Sequence, residues 1–497
     1  MCSIHREKGT GLMKQQRLTK QFMFLRVLAA LLGFIPLIMI PPLILAAALG
    51  EAAMIRAFAV PMLGITAAAL PCFCSLRKKK LKLNARDGFM LVFVTWALAS
   101  LLGAIPFWRA GLSISDAVFE SACTFATTGG TTVSDLEALP RALHLWRSLA
   151  HWFGGIGIVL IAVAFMPLLG IGGFQLIKAE APGPEKEKIT PKVADTARLL
   201  CATYGILTLA LFGLYLAGGM GLFDALCHSL TTMASGGAST RNAGLAAFDS
   251  PFIDGVSTVF MLLAGLNFNL YYQLLRGKFR GVWNNTEARA YFAIFIIAAA
   301  VITLSLIPVY GSAAEALRYA AYQTASILST TGAVITGYEA WPGIAQMVLF
   351  GLMFVGGCSG STAGGVKVIR HVVLWKQMGN ELRRVIYPRG VFSVQLNKRV
   401  GRKDVVYGVA GFFLVYIAVI AAVTLITAAA GVDLFSSLSA ALSITGNVGA
   451  GFGAVGSAAR YGGFPDHLKW LFSVVMISGR LELWTVCILF NPAYWRK

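Results

Sequence analysis

Four times along this chain a short run of small and polar residues cuts into long apolar sequence, at intervals close to a hundred residues. The runs are Ala126-Thr127-Thr128-Gly129-Gly130, Met233-Ala234-Ser235-Gly236-Gly237, Ser329-Thr330-Thr331-Gly332-Ala333 and Gly446-Asn447-Val448-Gly449-Ala450. Aligned on the third small residue, Gly129, Gly236, Gly332 and Gly449 lie 107, 96 and 117 residues apart. A repeat of that length in an apolar chain means one unit copied and assembled around something. Backbone that leaves the helix at membrane depth is tolerated only where it lines a cavity or is buried in protein. Four such breaks in register therefore belong together.

A chain with 57% hydrophobic and 13% charged residues is not a soluble globule. Apolar runs at 24–49, 57–76, 89–108, 156–173, 199–219, 252–275, 290–310, 347–355, 405–430 and 470–489 mostly reach the ~20 residues of a spanning helix, and predict ten spans. The first run lacks a small-residue cleavage signature and carries Pro36, Pro41 and Pro42, which predicts a retained helix. The net charge of +20 invites a nucleic-acid reading, but its placement argues otherwise. Thirty-two of the 42 Lys and Arg fall in 1–22, 76–88, 176–199, 274–290, 366–404 and 490–497, all on one side of a ten-span chain. That is the positive-inside pattern, with both termini cytoplasmic. The opposite loops hold acids such as Glu51, Asp116, Glu120, Asp135, Asp224, Glu315, Glu339 and Asp433. The basic loops set topology and touch anionic lipid, so no nucleic-acid partner is expected. Eight cysteines and six histidines show no disulfide framework and no metal-ligand spacing.

Each copy of the repeat reads as a spanning helix, a short segment, a glycine loop and a return helix. In the first copy Ser115-Asp116 caps a segment at 117–127, too short to span. Leu222-Phe223-Asp224, Ala314-Glu315 and Val432-Asp433 open the others. Such helices start at the outer surface and stop midway, and the partial negative charge at their carbonyl ends favours a cation. Glycine suits the loop because turning carbonyls toward an axis needs backbone angles that a Cβ disfavours. Thr128, Ser235, Thr331 and Asn447 can add side-chain oxygens or brace the loops. The candidate ligands of a cation filter are thus Thr127, Thr128, Gly129, Ala234, Ser235, Gly236, Thr330, Thr331, Gly332, Asn447, Val448 and Gly449.

Two further features lie in the last two return helices. The run Gly356-Gly357-Cys358-Ser359-Gly360-Ser361-Thr362-Ala363-Gly364-Gly365 breaks the third, since 347–355 is too short to span and 366–375 completes it. It is not a phosphate loop: Val366 stands between Gly365 and Lys367, and no Ser or Thr follows the lysine. A flexible segment beneath a filter predicts a gate; a plain kink is the alternative. Arg480 falls near the middle of the last span, where a charge needs a reason. Glu482, two residues on, faces another side of the helix and reads as structural.

With His151-Trp152-Phe153-Gly154-Gly155-Ile156-Gly157, Pro167 to Gln175, Ala179 to Pro184 and Gly479-Arg480-Leu481-Glu482, these residues resemble the Trk/Ktr/HKT superfamily of potassium transporters. The hairpin that precedes the first repeat makes the resemblance one to membrane subunits of the TrkH type. Ala450 departs from the pattern, where related sequences often have proline.

The expected fold is an all-α polytopic membrane protein, with four helix–pore loop–helix repeats around a pseudo-fourfold pore and an N-terminal two-helix hairpin. Its divisions are a basic arm at 1–22, the hairpin at 23–80, and repeats at 81–192, 193–285, 286–400 and 401–497. The resemblance implies inward conduction of K⁺ and Rb⁺, with the 356–365 loop and a pore-facing Arg480 as gate. It implies an inner-membrane homodimer regulated by a cytoplasmic, TrkA-like nucleotide-binding ring, for which 176–199 and 366–404 offer docking charge. No tightly bound cofactor is expected, K⁺ being cargo, and no constellation supports an enzyme. The competing expectation is a secondary transporter coupling K⁺ to H⁺ or Na⁺, for which Glu482 is the clearest carboxylate.

Overall fold

Apolar runs of this length become helices because no water is at hand to satisfy a backbone group left open. The computed structural model describes residues 21–75, 85–169, 193–397, 399–400, 403–457 and 460–496. The basic arm and most of the basic stretches at 76–88 and 176–199 lie outside them, as does the motif from 170 to 184.

Two helices come first, α1 (Gln21–Ala48) and α2 (Ala52–Ser75). Each carries internal prolines, and the two pack on one another. Phe58 of α2 meets Trp146 edge to face at 6.1 Å, seating the hairpin on the first repeat.

The first repeat runs α3 (Ala85–Gly103), α4 (Ile114–Phe125), a loop and α5 (Arg141–Leu169). The second has α6 (Val193–Ala217), α7 (Leu222–Met233) and a return split into α8 (Pro251–Ala264) and α9 (Phe268–Leu275). In the third, α10 (Thr286–Tyr310) and α11 (Ala313–Leu328) lead to α12 (Gly343–Leu352) and α13 (Val368–Ile386). An antiparallel pair, β1 (Gln395–Leu396) and β2 (Arg399–Val400), precedes the fourth. That repeat holds α14 (Lys403–Ala429), α15 (Leu434–Thr445), α16 (Asp466–Arg480) and α17 (Leu483–Phe490). Among the described residues six helices are long and apolar enough to cross a membrane, or eight if each bent pair is one span. The other two of the ten expected spans fall in α5 and in the α12–α13 pair.

Of the four short helices, α4, α11 and α15 start on side-chain caps. Ser113, not the expected Ser115-Asp116, caps α4 by accepting from Asp116 N at 3.1 Å. Ser312 caps α11 and Asp433 caps α15, while α7 starts at Gly221 with no side-chain cap.

Each short helix also packs on the return helix of the repeat before it. The second, α7, lies on α5, and α11 lies on α8 with Arg318 Nε 2.7 Å from Asp254. Phe435 of α15 stacks on Phe350 of α12 at 5.6 Å. The circle closes where α4 packs on α16, through Lys469 Nζ–Asp116 at 2.7 Å and Ser115 Oγ donating to Asp466 at 2.7 Å.

A break in the third return helix was expected; the second and fourth, read as spans at 252–275 and 470–489, are broken too. Helices α8 and α9 meet at 94°, and α16 and α17 at 113°. Helix α5 is kinked at Gly157, whose φ 9° and ψ −106° are non-helical. Asn267 caps the restart at α9 by accepting from Asn269 N at 2.9 Å. Glu482 restarts α17 with φ 62°, as Lys367 restarts α13 with φ 73°.

Candidate functional site

All four short helices end in the same turn. The N–H of Thr128 reaches the carbonyl of Cys123 at 2.9 Å, Gly236 that of Thr231 at 2.9 Å, Thr331 that of Ser326 at 2.8 Å and Val448 that of Ser443 at 2.8 Å. This is the longer bond of a Schellman motif, which needs a left-handed residue just before it. Those residues are Thr127 (φ 53°), Ser235 (55°), Thr330 (55°) and Asn447 (53°). None is glycine, so each loop holds a conformation that costs an L residue about 1 kcal/mol.

Two positions further on the backbone turns left-handed again, at Gly129 (φ 85°), Gly237 (54°), Gly332 (69°) and Gly449 (84°). The second loop is therefore shifted by one against the alignment on Gly236. Gly236 stands with Thr128, Thr331 and Val448, and Ala234 remains behind as the end cap of α7. Two glycines in a row leave the register open in sequence; the helix end decides it.

Those four glycines interlock. A Cβ on Gly129 would fall on the carbonyl oxygen of Gly236, one on Gly237 on that of Thr331, one on Gly332 on that of Val448, and one on Gly449 on that of Thr128. Loop one thus abuts two, two abuts three, three abuts four and four abuts one. Backbone oxygen from every quarter and the negative ends of four short helices share one small region, an environment that favours a cation.

Behind the loops, side chains hold the geometry. Thr231 Oγ1 donates to Ala238 O at 2.8 Å, Ser326 Oγ to Ala333 O at 2.6 Å and Cys123 Sγ to Gly130 O at 3.0 Å. In the fourth quarter the Tyr461 hydroxyl does this work, donating to Gly449 O at 2.8 Å beside Ser443. Glu120, which sequence placed only among the outer-side acids, is fully buried here. Its carboxylate accepts from Thr131 Oγ1 and Thr132 N, both at 2.6 Å, and pairs with Arg147 Nε at 3.2 Å. The signal available was a second carboxylate inside a short helix whose first-turn acid, Asp116, is explained by its position.

The segment between α12 and α13 lies directly against this ring. Its ends touch: Gly356 (φ 80°) and Gly365 (φ 72°) would each drive a Cβ into the other's backbone. Cys358 N donates to Gly265 O at 2.8 Å and Phe268 N to Gly360 O at 3.1 Å, so the backbone freed by the α8–α9 break is taken up by this segment. Gly364 N reaches Thr330 Oγ1 at 2.6 Å, the Thr362 and Ser235 hydroxyls stand 2.7 Å apart, and Gly364 packs on Asn447. Gly357, Ser359 and Ala363 are buried, while Gly360 is exposed and Ser361 Oγ turns back to Cys358 O at 2.6 Å.

Arg480, the last residue of α16, completes the arrangement. Its Nη1 donates to Thr362 O at 2.7 Å, and its Nη2 to Gly154 O and Gly155 O, both at 2.6 Å. One guanidinium thus ties the segment and the fourth quarter to the first. Glu482 goes elsewhere, pairing with Arg370 at 2.6 Å, and Arg370 in turn covers the Phe412 ring at 3.8 Å.

A family model described as "TrkH: Cation transport protein" matches residues 59–497. The Trk system potassium uptake protein TrkH of Escherichia coli (strain K12) is 38% identical over 428 residues, covering 85% of this chain and 88% of that protein. The protein of the same name from Halomonas elongata is 37% identical over 484 residues, covering 96% and 99%. The crystal structure of the potassium transporter TrkH from Vibrio parahaemolyticus superposes with a TM-score of 0.85 at 34% identity, over 96% of this chain and 99% of that one.

Proposed function

Because this chain belongs to the TrkH family of cation transport proteins, a family of transporters and not enzymes, we propose that it conducts K⁺, and Rb⁺ with it, inward across a cell's inner membrane. The observation that carries this reading is the closed cycle of four loops, in which each glycine leaves room for the next loop's carbonyl. The filter residues are Thr127–Gly129, Ser235–Gly237, Thr330–Gly332 and Asn447–Gly449. With one such turn per quarter, in place of a long carbonyl ladder, Na⁺ is excluded only in part. With the basic loops inside, an inside-negative potential supplies ~2.3 kcal/mol per charge for each 100 mV.

The 356–365 segment and Arg480 act as the barrier beneath the filter, and the arrangement described is its closed form. A fixed guanidinium ~6 Å from the ion's path opposes a cation by roughly 3 kcal/mol at an effective dielectric of about 20. The membrane subunit works as a homodimer under a cytoplasmic, TrkA-like nucleotide-binding ring, docked on basic surface such as Arg383 and Arg384 of α13. Coupling to H⁺ or Na⁺ would need a carboxylate available to a second ion; Glu482 is engaged by Arg370.

Uptake of ⁸⁶Rb⁺ by the purified protein in vesicles, competed by K⁺ and by Na⁺, tests the proposal. We expect potential-driven uptake that K⁺ suppresses at lower concentration than Na⁺ and that an imposed proton gradient leaves unchanged. Uptake that follows the proton gradient at zero potential would replace channel-like conduction by the coupled reading.

A further inference from the structure

Glu287 stands at the first turn of α10 and is buried. Its Oε1 accepts two backbone N–H groups, one inside the intramembrane segment and one just beyond it: Ser359 N at 2.6 Å and Ile369 N at 3.2 Å. One oxygen thus joins the start of the segment to the restart of the helix after it. Two helix N-termini, those of α10 and α13, also converge there, which favours a carboxylate at that point.

The preceding residue, Thr286, is held from the other direction. Its N–H donates to Asn397 Oδ1 at 2.7 Å, and its hydroxyl oxygen accepts from Asn397 N at 3.1 Å. Asn397 is the left-handed residue (φ 49°) that follows β1. The strand beside it packs on the start of α13: Val394 and Leu396 form a separate apolar cluster with Ile369, Val373 and Val409. Hairpin, α10 and the restart of α13 therefore meet at Thr286 and Glu287, on the basic side of the molecule.

We infer that Glu287 is the positioning residue that holds the intramembrane segment in its closed arrangement, and that the hairpin at 394–397 acts on that segment through Thr286 and Glu287. The functional half of this inference rests on the gate reading above; the structural half does not. A load on the hairpin reaches the segment without crossing the filter, since Asn397, Thr286, Glu287 and Ser359 form one bonded line. Physical coupling of this sort needs an element with two arrangements, and a glycine-rich segment held by a few bonds can supply one.

Cys358, buried and adjacent to Ser359, reports on the segment independently of conduction. The experiment compares parent, Glu287→Ala, Glu287→Gln and Asn397→Gly as full chains in vesicles. Cys358 alkylation is read by peptide mass spectrometry, and ⁸⁶Rb⁺ uptake and the melting temperature are read on the same preparations. Glu287→Ala should raise the Cys358 alkylation rate about tenfold, since Ser359 N and Ile369 N both lose their acceptor. Glu287→Gln keeps an acceptor oxygen and should stay near the parent. Asn397→Gly preserves the left-handed turn while removing the side-chain bond to Thr286 N, and should raise alkylation in the parent but add nothing in Glu287→Ala. Faster alkylation with unchanged uptake supports the positioning role and sinks the gate reading. Unchanged alkylation in folded Glu287→Ala, or a Gln variant that behaves as Ala does, overturns the positioning role. If Glu287→Ala does not fold, Asn397→Gly decides: no change in alkylation overturns the inference.

Discussion

The guanidinium of Arg480 donates to the carbonyl oxygen of Thr362 at 2.7 Å, so the end of α16 and the centre of the intramembrane segment share a bond. Two further carbonyls, Gly154 and Gly155, take the same side chain. The arginine is therefore both a charge, which burial cannot deprotonate, and a clasp.

Arg480→Ala should raise Rb⁺ uptake several-fold while lowering the melting temperature. The first follows from the proposed barrier role, in which a cation-repelling charge disappears; the second follows from the geometry, since three carbonyls lose hydrogen bonds to a charged group, each worth about 1.5–3 kcal/mol before relaxation. Uptake and thermal melts on one preparation separate the effects. Uptake that falls together with stability would reduce Arg480 to a structural clasp.

Alanine at Gly237 and at Gly236 should act differently. At Gly237 the Cβ meets the Thr331 carbonyl in a left-handed turn, so K⁺/Na⁺ discrimination should drop, as it should for Gly332→Ser. At Gly236 the Cβ meets the His151 ring instead, and the loss should appear mainly in thermal stability. Competition of Rb⁺ uptake by Na⁺ reads the difference. Equal loss of selectivity in both alanine variants would return the register to Gly236.

Arg147→Leu should be severely destabilising, by about 3–5 kcal/mol, because it leaves the Glu120 carboxylate buried without its cation. The double variant Arg147→Leu/Glu120→Leu should recover much of that stability yet conduct less selectively, having lost the acceptor for Thr131 and Thr132. A double variant that melts below Arg147→Leu would contradict the ion-pair account.

Asp433 caps α15 at the exposed surface, accepting from Ser436 N at 2.9 Å. The Ser436 hydroxyl and N–H hold its carboxyl below the ordinary value of 3.8. A carboxyl depressed on folding contributes stability that is fully present above 3.8 and fades as pH drops through its folded-state value. The melting temperature should therefore decline as pH falls below that point, and Asp433→Asn should show a shallower decline. A parallel decline in both proteins would assign the acid sensitivity elsewhere.

Sequence showed the four loops plainly, because Gly and Thr inside apolar runs have few explanations. It also marked the third break, where 356–365 holds too many glycines for a helix. At 265–267 the signal was Gly265 and Asn267, neither a good helix former, but the break at 481–482 was illegible for a physical reason. Leu481 and Glu482 are ordinary helix formers, and what turns the chain there is tertiary: Glu482 finds Arg370. Glu287 was hidden in another way. A glutamate in the first turn of a helix suits the macrodipole, so nothing in its setting announced a partner seventy residues downstream.

The contact that closes the circle, Ser115 with Asp466, joins residues 351 positions apart. A chain made from its N-terminus presents α4 long before α16 exists. Until the final repeat is synthesised and inserted, Asp116 lacks Lys469, and the Thr128 carbonyl lacks the loop that will close over it. Nearly the whole ring can be in the bilayer while its first loop still lacks a neighbour on one side. Contacts this distant are reached slowly, because the long intervening chain must be ordered before they form. The segment from Asp466 onward thus supplies the last contacts that the first quarter receives, and a chain stopped before it would leave Ser115 and Asp116 without their partners.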